Sequence, residues 1–389
     1  MKTDAPPVLV YLVSEDWYFV SHRLPMALAA QRAGYEVHVA TNVSRHAEAI
    51  KSHGFHLHSL AWRRGSFAPL HRLRLLFEIR RLYRKIEPDL VHHVALEPVI
   101  AGSLATLGLP IRHLNAVAGL GFTFSARGMK ASAMRGVLRR LLRVLFNRAR
   151  AAVLVQNPDD RAALIAIGVM PERIFLIPGS GVDTDALTVL PEPSGPPTVA
   201  FVGRLIGEKG IRTLLAAHDL LVSRGSRIRL LIAGEPDPAN PASIAAAEIA
   251  GWAARTGVVY LGHVEDIRTV WEAAHIAVLP SRGGEGVPKA LMEAAAFGRP
   301  IVASDVSGCR EIARQGLNAL LVPADDVAAL ADAIDALAQH ADLRRRFSDA
   351  GRRLVVAEFS SRRIGRETVA LYDGLVGRSA AVAAAAAAG

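Results

Sequence analysis

Two glutamates eight positions apart, Glu285 and Glu293, bracket the start of a helix in Leu279-Pro-Ser-Arg-Gly-Gly-Glu-Gly-Val-Pro-Lys-Ala-Leu-Met-Glu-Ala294. The apolar run Ile276–Leu279 reads as a strand that ends in this glycine-rich loop, and Pro288 suits the first turn of a helix carrying Lys289 to about Phe297. Such a helix start offers unpaired backbone N–H groups and the positive end of a dipole, an anion site by construction. Carboxylates beside it are suited to accept hydrogen bonds from hydroxyls, as on a sugar or a ribose. A second loop adds cations. The strand Thr198–Val202 runs into Gly203-Arg204-Leu-Ile-Gly-Glu-Lys209-Gly210, where Arg204 and Lys209 can clamp two phosphates from one side. Either loop alone also fits an ordinary strand–loop–helix with solvated charges. Together they describe a nucleotide-diphosphate site with hydroxyl-binding glutamates beside it.

The elements that must hold these loops are parallel βαβ units. Val8–Val13, Val37–Thr41, Asp89–Val94 and Ala151–Gln156 read as strands in the first half. Thr198–Val202, Arg229–Ala233, Val258–Leu261, Ile276–Leu279 and Ile301–Ala303 read as strands in the second, with helical patterns between. Strands this uniformly apolar call for helices on both faces. The 389 residues are enough for two or three domains, and 51% hydrophobic with 21% charged residues excludes wholesale disorder. Four prolines and a glycine in Leu190-Pro-Glu-Pro-Ser-Gly-Pro-Pro197 predict a linker. The expected division is therefore residues 1–190 and 191–378, with a low-complexity tail at 379–389. Two doubly wound, Rossmann-like domains so joined would face each other across a central cleft, and the last helix, about 361–372, is expected to pack back on the first domain.

The charge asymmetry coincides with the proline-rich stretch. Residues 1–190 hold 24 Lys+Arg against 14 Asp+Glu, and the remainder is balanced, so the whole net +10 sits in the first half. That half is expected to meet something anionic. Helical spacing over 131–150 places Met134, Val137, Leu138, Leu141 and Leu145 on one face and Arg139, Arg140, Arg143 and Arg150 opposite. Near 70–86, Arg74, Arg81 and Lys85 form a similar stripe. An anionic membrane surface fits these stripes better than nucleic acid, because aromatic residues are only 6% and neither stripe carries a regular series of stacking residues. No apolar run approaches membrane-spanning length and the N-terminus lacks signal-peptide form, so the expected location is cytoplasmic, peripheral on the inner face of the membrane.

Phe-Val-Gly-Arg-Leu-Ile-Gly-Glu-Lys-Gly (201–210) and Glu-Gly-Val-Pro-Lys-Ala-Leu-Met-Glu (285–293) resemble the retaining glycosyltransferases of family 4, which have the GT-B fold; the second is the family's E-x7-E motif. Ile177-Pro-Gly-Ser-Gly-Val-Asp183, Leu261-Gly-His-Val-Glu-Asp266 and Gly298-Arg-Pro-Ile-Val-Ala303 support the match. Ser21-His-Arg-Leu-Pro25, Val91-His-His-Val-Ala95, Asn115-Ala-Val-Ala-Gly-Leu-Gly-Phe122, Gln156-Asn-Pro-Asp-Asp160 and Gly234-Glu-Pro-Asp-Pro-Ala-Asn-Pro241 resemble the capsule and O-antigen subgroup. That resemblance implies transfer of a hexose or N-acetylhexosamine from a UDP-sugar to a polyprenyl-diphosphate-linked saccharide, with retention and no metal. It also implies that residues 1–190 are a membrane-facing acceptor domain and 191–378 a nucleotide-sugar donor domain, in which Arg204 and Lys209 hold the diphosphate, Glu285 the transferred sugar and Glu293 the ribose. Gly286 and Val287 would then face the donor by their backbone, with Val264 near the base.

One departure concerns histidine. Many family members carry one near the donor sugar, and the comparable stretch here, Leu114–Gly121, has none. His22, His92, His93 and His113 are the alternatives, of which His22, beside Arg23 in a loop ahead of a helix, is the first to mutate. Asp183-Thr-Asp185 fits a metal-binding Asp-x-Asp, but its place in a Gly-Val-Asp turn reads better as a helix cap; no metal and no cofactor beyond the donor substrate is expected. Two other readings remain at this level: a GT-B nucleotide-sugar epimerase, and a catalytically silent membrane-binding protein of the same fold.

Overall fold

The computed structural model describes residues 5–62, 68–117, 119 and 129–378. It holds two compact units: residues up to Gly181 together with those from Ser361 onward, and residues Val182–Ser360. The first is built on β1 (Val8–Glu15), β2 (Glu36–Asn42), β3 (His56–Ser59), β4 (Leu90–Val94), β5 (Arg112–Ala116), β6 (Ala151–Val155) and β7 (Ile174–Leu176), in the order β3-β2-β1-β4-β5-β6-β7. The second holds β8 (Thr198–Val202), β9 (Arg229–Ala233), β10 (Val258–Gly262), β11 (Ile276–Leu279), β12 (Ile301–Ser304) and β13 (Ala319–Val322), ordered β10-β9-β8-β11-β12-β13. Every ladder pairing is parallel. These are two doubly wound α/β sheets, as the alternation of apolar runs and helical patterns requires.

In the first unit the period-2 geometry of β1 serves two cores. Leu9, Tyr11 and Val13 face one cluster and Val10 and Leu12 another. The helices Leu24–Arg32 and Ser361–Val376 cover the first face; Gly365 lets them touch, since a Cβ there would lie 2.8 Å from that of Ala29. The final helix is anchored by polar groups too. The Tyr372 hydroxyl meets those of Tyr11 (2.8 Å) and the Nδ1 of His92 (2.5 Å), and Tyr35 donates to Asp373 (2.8 Å). The tail 379–389 lies outside the described residues.

Three sequence expectations need correction. The proline-rich stretch is not a free linker. The Leu190 N–H donates to Phe297 O (3.1 Å), Arg299 donates to Pro191 O (2.8 Å) and Arg344 pairs with Glu192, so the segment is part of the second unit and the chain crosses between units at Gly181–Val182 instead. The basic helix is Met129–Phe146, so Arg150 lies beyond it, in the turn before β6. Its buried stripe is Leu142, Leu145 and Phe146, with Leu138 and Leu141 half-buried, while Val137 is 67% exposed on the arginine side. The Met134 side chain lies outside the described residues. Finally, Asp183 Oδ1 accepts from the N–H groups of Asp185 and Ala186 (both 3.0 Å), capping a turn and not a helix.

Candidate functional site

In the second unit the strand order reverses between β8 and β11, which are hydrogen-bonded neighbours. Crevices at such a switch point, outside the carboxyl ends of the strands, are where doubly wound sheets bind ligands. The loops that leave β8 and β11 there are the two that carry Arg204, Lys209 and Glu285.

Glycines let these loops pack hard against each other and their neighbours. Gly210 has φ +70°, and a Cβ on it would stand 1.9 Å from Pro280 O. One on Gly308 would stand 1.8 Å from Gly286 O, fixing the backbone of the Glu285–Gly286 turn. The Arg282 N–H donates to Glu208 O (2.8 Å), a direct backbone link between the two loops.

Side chains complete the join. Lys209 Nζ reaches both oxygens of Glu285, at 2.6 and 2.8 Å, and Ser281 Oγ donates to the same carboxylate at 2.6 Å. Arg204 Nη1 donates to the buried Asp237 at 2.6 Å, from the loop after β9. On the helix Lys289–Ala296, Lys289 lies 3.3 Å from Glu293. Burial raises the Glu293 pKa, and the Lys289 ammonium only partly offsets it. Every cation of the site is therefore matched by a carboxylate: Arg204 with Asp237, Lys209 with Glu285, Lys289 with Glu293. An anionic ligand has to compete for the cations, and a hydroxyl-bearing one is offered the carboxylates.

The structure thus brings Arg204, Lys209, Glu285, Gly286, Val287 and Glu293 to one pair of neighbouring loops and the helix that follows. Val287 is buried beneath the turn, and Val264, in the loop after β10, packs partly on the core from the same edge of the sheet. Pro288 caps that helix, which begins at Lys289. Sequence reading passed over Asp237 and Ser281 as partners and the service of Gly308. A signal existed: Gly203, Gly234 and Gly262 close β8, β9 and β10 at one edge, and a Cβ on Gly234 would meet Gly203 O at 1.9 Å. The lone Cys309 is buried behind the turn, and burial and the Glu285 charge push its thiol pKa far up, so it is no nucleophile.

The histidines belong to the first unit. His22 ends the helix Asp16–His22, not a loop, and its ring stacks on Tyr18 at 4.4 Å between centroids. His92 and His93 lie in the middle of the first sheet. His93 Nδ1 meets Asn115 Oδ1 at 2.8 Å and its Nε2 meets the Tyr83 hydroxyl at 3.1 Å. Burial pushes the pKa of His92 well down, that of His93 to about 3 and that of His113 to about 4. These three are neutral structural groups. Most of the stretch Leu114–Phe122 beyond Val117 lies outside the described residues.

The same unit carries the basic stripes. The helices Pro69–Ile86 and Met129–Phe146 pack on clusters formed by Val10, Leu12 and Val91 and by Val153 and Val155, away from the final helix. Leu70 (82% exposed), Leu73 and Phe77 (62%) form an outward i, i+3, i+7 row beside exposed Arg74, Arg81, Arg84 and Lys85. Val137 and Val144 do the same beside Arg139, Arg140 and Arg143. Residues 101–150 contain nine Lys+Arg and no acidic residue. No helix among the described residues is long and apolar enough to cross a membrane.

Comparison with known proteins places both halves. Residues 9–157 match a family described as "Glycosyl transferase 4-like" and residues 196–340 one described as "Glycosyl transferases group 1". A phosphatidyl-myo-inositol mannosyltransferase from Mycobacterium leprae is 32% identical over 236 residues, and the match spans only 59% of either chain. An N,N'-diacetylbacillosaminyl-diphospho-undecaprenol alpha-1,3-N-acetylgalactosaminyltransferase from Campylobacter jejuni is 25% identical over 336 residues, 83% of this chain and 87% of that one. Among solved structures, sucrose-phosphate synthase from Thermosynechococcus elongatus superposes with a TM-score of 0.80 at 22% identity, covering 96% of this chain and 100% of that one. Anabaena HepE, solved in complex with UDP-glucose, gives 0.76 at 16% identity, with 94% and 99% covered. These structural likenesses establish the GT-B fold.

Proposed function

The chain belongs to the family-4, or group 1, glycosyltransferases, and on that premise we propose that it transfers a hexose or N-acetylhexosamine, with retention, from a UDP-sugar to a lipid-diphosphate-linked saccharide at an anionic membrane surface. The observation that carries the reading is the junction of the β8 and β11 loops, where Lys209 grips Glu285 with two hydrogen bonds. An ammonium has three donors. With two on Glu285, the third can serve a phosphate oxygen, so one side chain couples the group that recognises the sugar to the group that departs.

Arg204 would release Asp237 and take the diphosphate; Glu293 would accept from the ribose hydroxyls. As the sugar–phosphate bond breaks, negative charge grows on the leaving UDP, and Arg204, Lys209 and the amino end of the helix Lys289–Ala296 stabilise it where it forms. The leaving phosphate is then the base nearest the reacting carbon and can take the acceptor's proton on the same face, which gives retention. Val264, Gly286 and Val287 shape the donor pocket, and His22 is kept as a secondary catalytic residue.

The UDP preference draws support from the UDP-glucose complex of Anabaena HepE, and the lipid-diphosphate acceptor from the Campylobacter relative. The outward rows Leu70/Leu73/Phe77 and Val137/Val144, each rimmed by arginines, support a peripheral membrane attachment: apolar side chains enter the headgroup boundary while each basic neighbour adds about 1 kcal/mol at an anionic surface. The test is transfer of labelled sugar from a panel of UDP-, GDP- and ADP-sugars to a polyprenyl-diphosphate-saccharide in anionic vesicles. Labelled lipid from a UDP-sugar supports the reading; transfer only from GDP- or ADP-sugars overturns the donor, and label only on a water-soluble acceptor overturns the lipid.

A further inference from the structure

The first unit carries a cluster that the transfer reaction does not use. Glu36 and His38 stand two apart on β2, and His56 and His58 two apart on the edge strand β3. Strand alternation puts each pair on one face, and the register sets His38 beside His56 and Ala40 beside His58. That face is the one covered by the helix Pro69–Ile86, since Ala40 joins the Val10–Leu12 core beneath it. His38 Nε2 lies 2.9 Å and His56 Nε2 3.4 Å from the same oxygen, Glu36 Oε1, and the three ligand atoms lie within 4.8 Å of one another. His38 Nδ1 and His58 Nε2 are 2.8 Å apart.

We propose that Glu36, His38 and His56 form a binding site for a divalent transition ion of the zinc class, with His58 orienting His38. Ligand atoms about 2.0–2.1 Å from a tetrahedral ion stand roughly 3.3 Å from each other, and two of the three separations here are already near that value. The His56 ring stacks on His38 at 4.5 Å; being exposed, it has room to turn its lone pair toward the shared ion. With Nε2 of His38 on the metal, its Nδ1–H donates to His58, the outer-shell bond that fixes a ligating imidazole. Two imidazoles and one carboxylate select zinc-like ions over magnesium and calcium, and a fourth position stays open to water.

Lys85, in the last turn of the covering helix, places a positive charge near His58. Glu36 and His56 are the first residues of their strands. The ion therefore sits at the amino ends of β2 and β3, away from the carboxyl edge where such sheets bind substrates. Its service is structural: it pins a four-residue edge strand to its neighbour.

The experiment uses the full chain without a histidine tag, stripped with chelator, titrated with Zn2+ and Co2+ by calorimetry and visible spectroscopy, with Mg2+ as the control ion. Wild type is expected to take up one Zn2+, to give the d–d bands of tetrahedral Co2+, and to melt several degrees higher when saturated. His56→Gln and Glu36→Gln alter accessible side chains, so they retain the fold while losing most of the affinity. His58→Gln weakens binding about 10–100-fold, and His53→Gln, exposed and outside the cluster, changes nothing. Zinc uptake that persists unchanged in the Glu36→Gln/His56→Gln double variant, or no uptake by wild type, overturns the site and leaves a hydrogen-bonded stack of imidazoles. Neither outcome bears on the donor site, which lies in the other unit.

Discussion

The two units share one strand plan, with the order reversing between β1 and β4 in the first and between β8 and β11 in the second, yet they furnish that reversal differently. In the second unit the loops there hold charges in pairs, Arg204 with Asp237 and Lys209 with Glu285, over glycines that admit no side chain. In the first, the strands on either side hold neutral groups, His92, His93 and Tyr11, tied to the final helix and to Asn115. A fold supplies a position for chemistry; loop composition decides whether chemistry is there. On the proposed reading, the charged unit exchanges its internal partners for a ligand, whereas the neutral one holds itself together.

Acidification is the strongest way to separate the two. The folded pKa values of His93 and His113 are depressed to about 3 and 4, and that of His92 lies well down, while the unfolded value is about 6.5. Stability from such groups is fully present above the unfolded value and is lost as pH falls toward the folded ones. Each costs about 1.4 kcal/mol per pH unit in that window. Glu293 has the opposite sign: its raised folded pKa means that its contribution is best at low pH and declines as pH rises through that value. Calorimetry from pH 7 to pH 5 should show the first unit melting progressively earlier than the second; parallel decline of both would erase the distinction.

Next in size is the donor chemistry. Arg204→Ala and Lys209→Ala should each lower kcat about 100–1000-fold, the usual cost of removing one stabiliser of developing charge, with circular dichroism unchanged. A loss below about 10-fold would remove that residue from the account. Phe77→Ser with Leu73→Ser should then reduce binding to anionic vesicles by about 10-fold or more, because each exposed side chain loses the apolar contact it would make; sedimentation with vesicles measures this, and unaltered binding would leave the basic rim as the sole attachment.

Glu293→Gln offers a smaller and more diagnostic effect. It removes a charge that burial penalises, so the ligand-free protein should gain up to about 1 kcal/mol while losing affinity for the nucleotide sugar. A variant both less stable and weaker in binding would show that the Lys289 pair outweighs burial. Last, His22→Ala should cost about 10-fold or less in kcat, as befits a ring stacked on Tyr18 at a helix end. A loss as large as that of Lys209 would move the first unit into the chemistry itself.

The nine strands read from apolar runs are all present, and the four overlooked are instructive. β3, β7 and β13 are edge strands of three or four residues, too short for a pattern. β5, Arg-His-Leu-Asn-Ala, has the composition of a loop, yet its Asn115 is satisfied inside, accepting from Ser103 and meeting His93. The chemistry-bearing loops were legible because glycine, cation and carboxylate recur at fixed spacing after apolar strands. Their counter-ions were not. Asp237 meets Arg204 across 33 positions and Glu285 meets Lys209 across 76, and pattern within a window carries no such distance. The outer helices are amphipathic as their sequence requires, but the faces are rotated from the simple pattern, since Val137 and Val144 face outward with the arginines. A helix buries what its neighbours can cover, and that is a tertiary fact.

The most direct measurement is thermal unfolding of wild type and Arg204→Ala with UDP, GDP, ADP and their sugar derivatives. Ligand at about 100 times its dissociation constant adds roughly 2.7 kcal/mol to the native state. The account predicts that UDP or a UDP-sugar alone stabilises wild type and that Arg204→Ala loses the shift. Stabilisation by no nucleotide, or the same shift in the variant, would contradict a donor site at the β8–β11 junction.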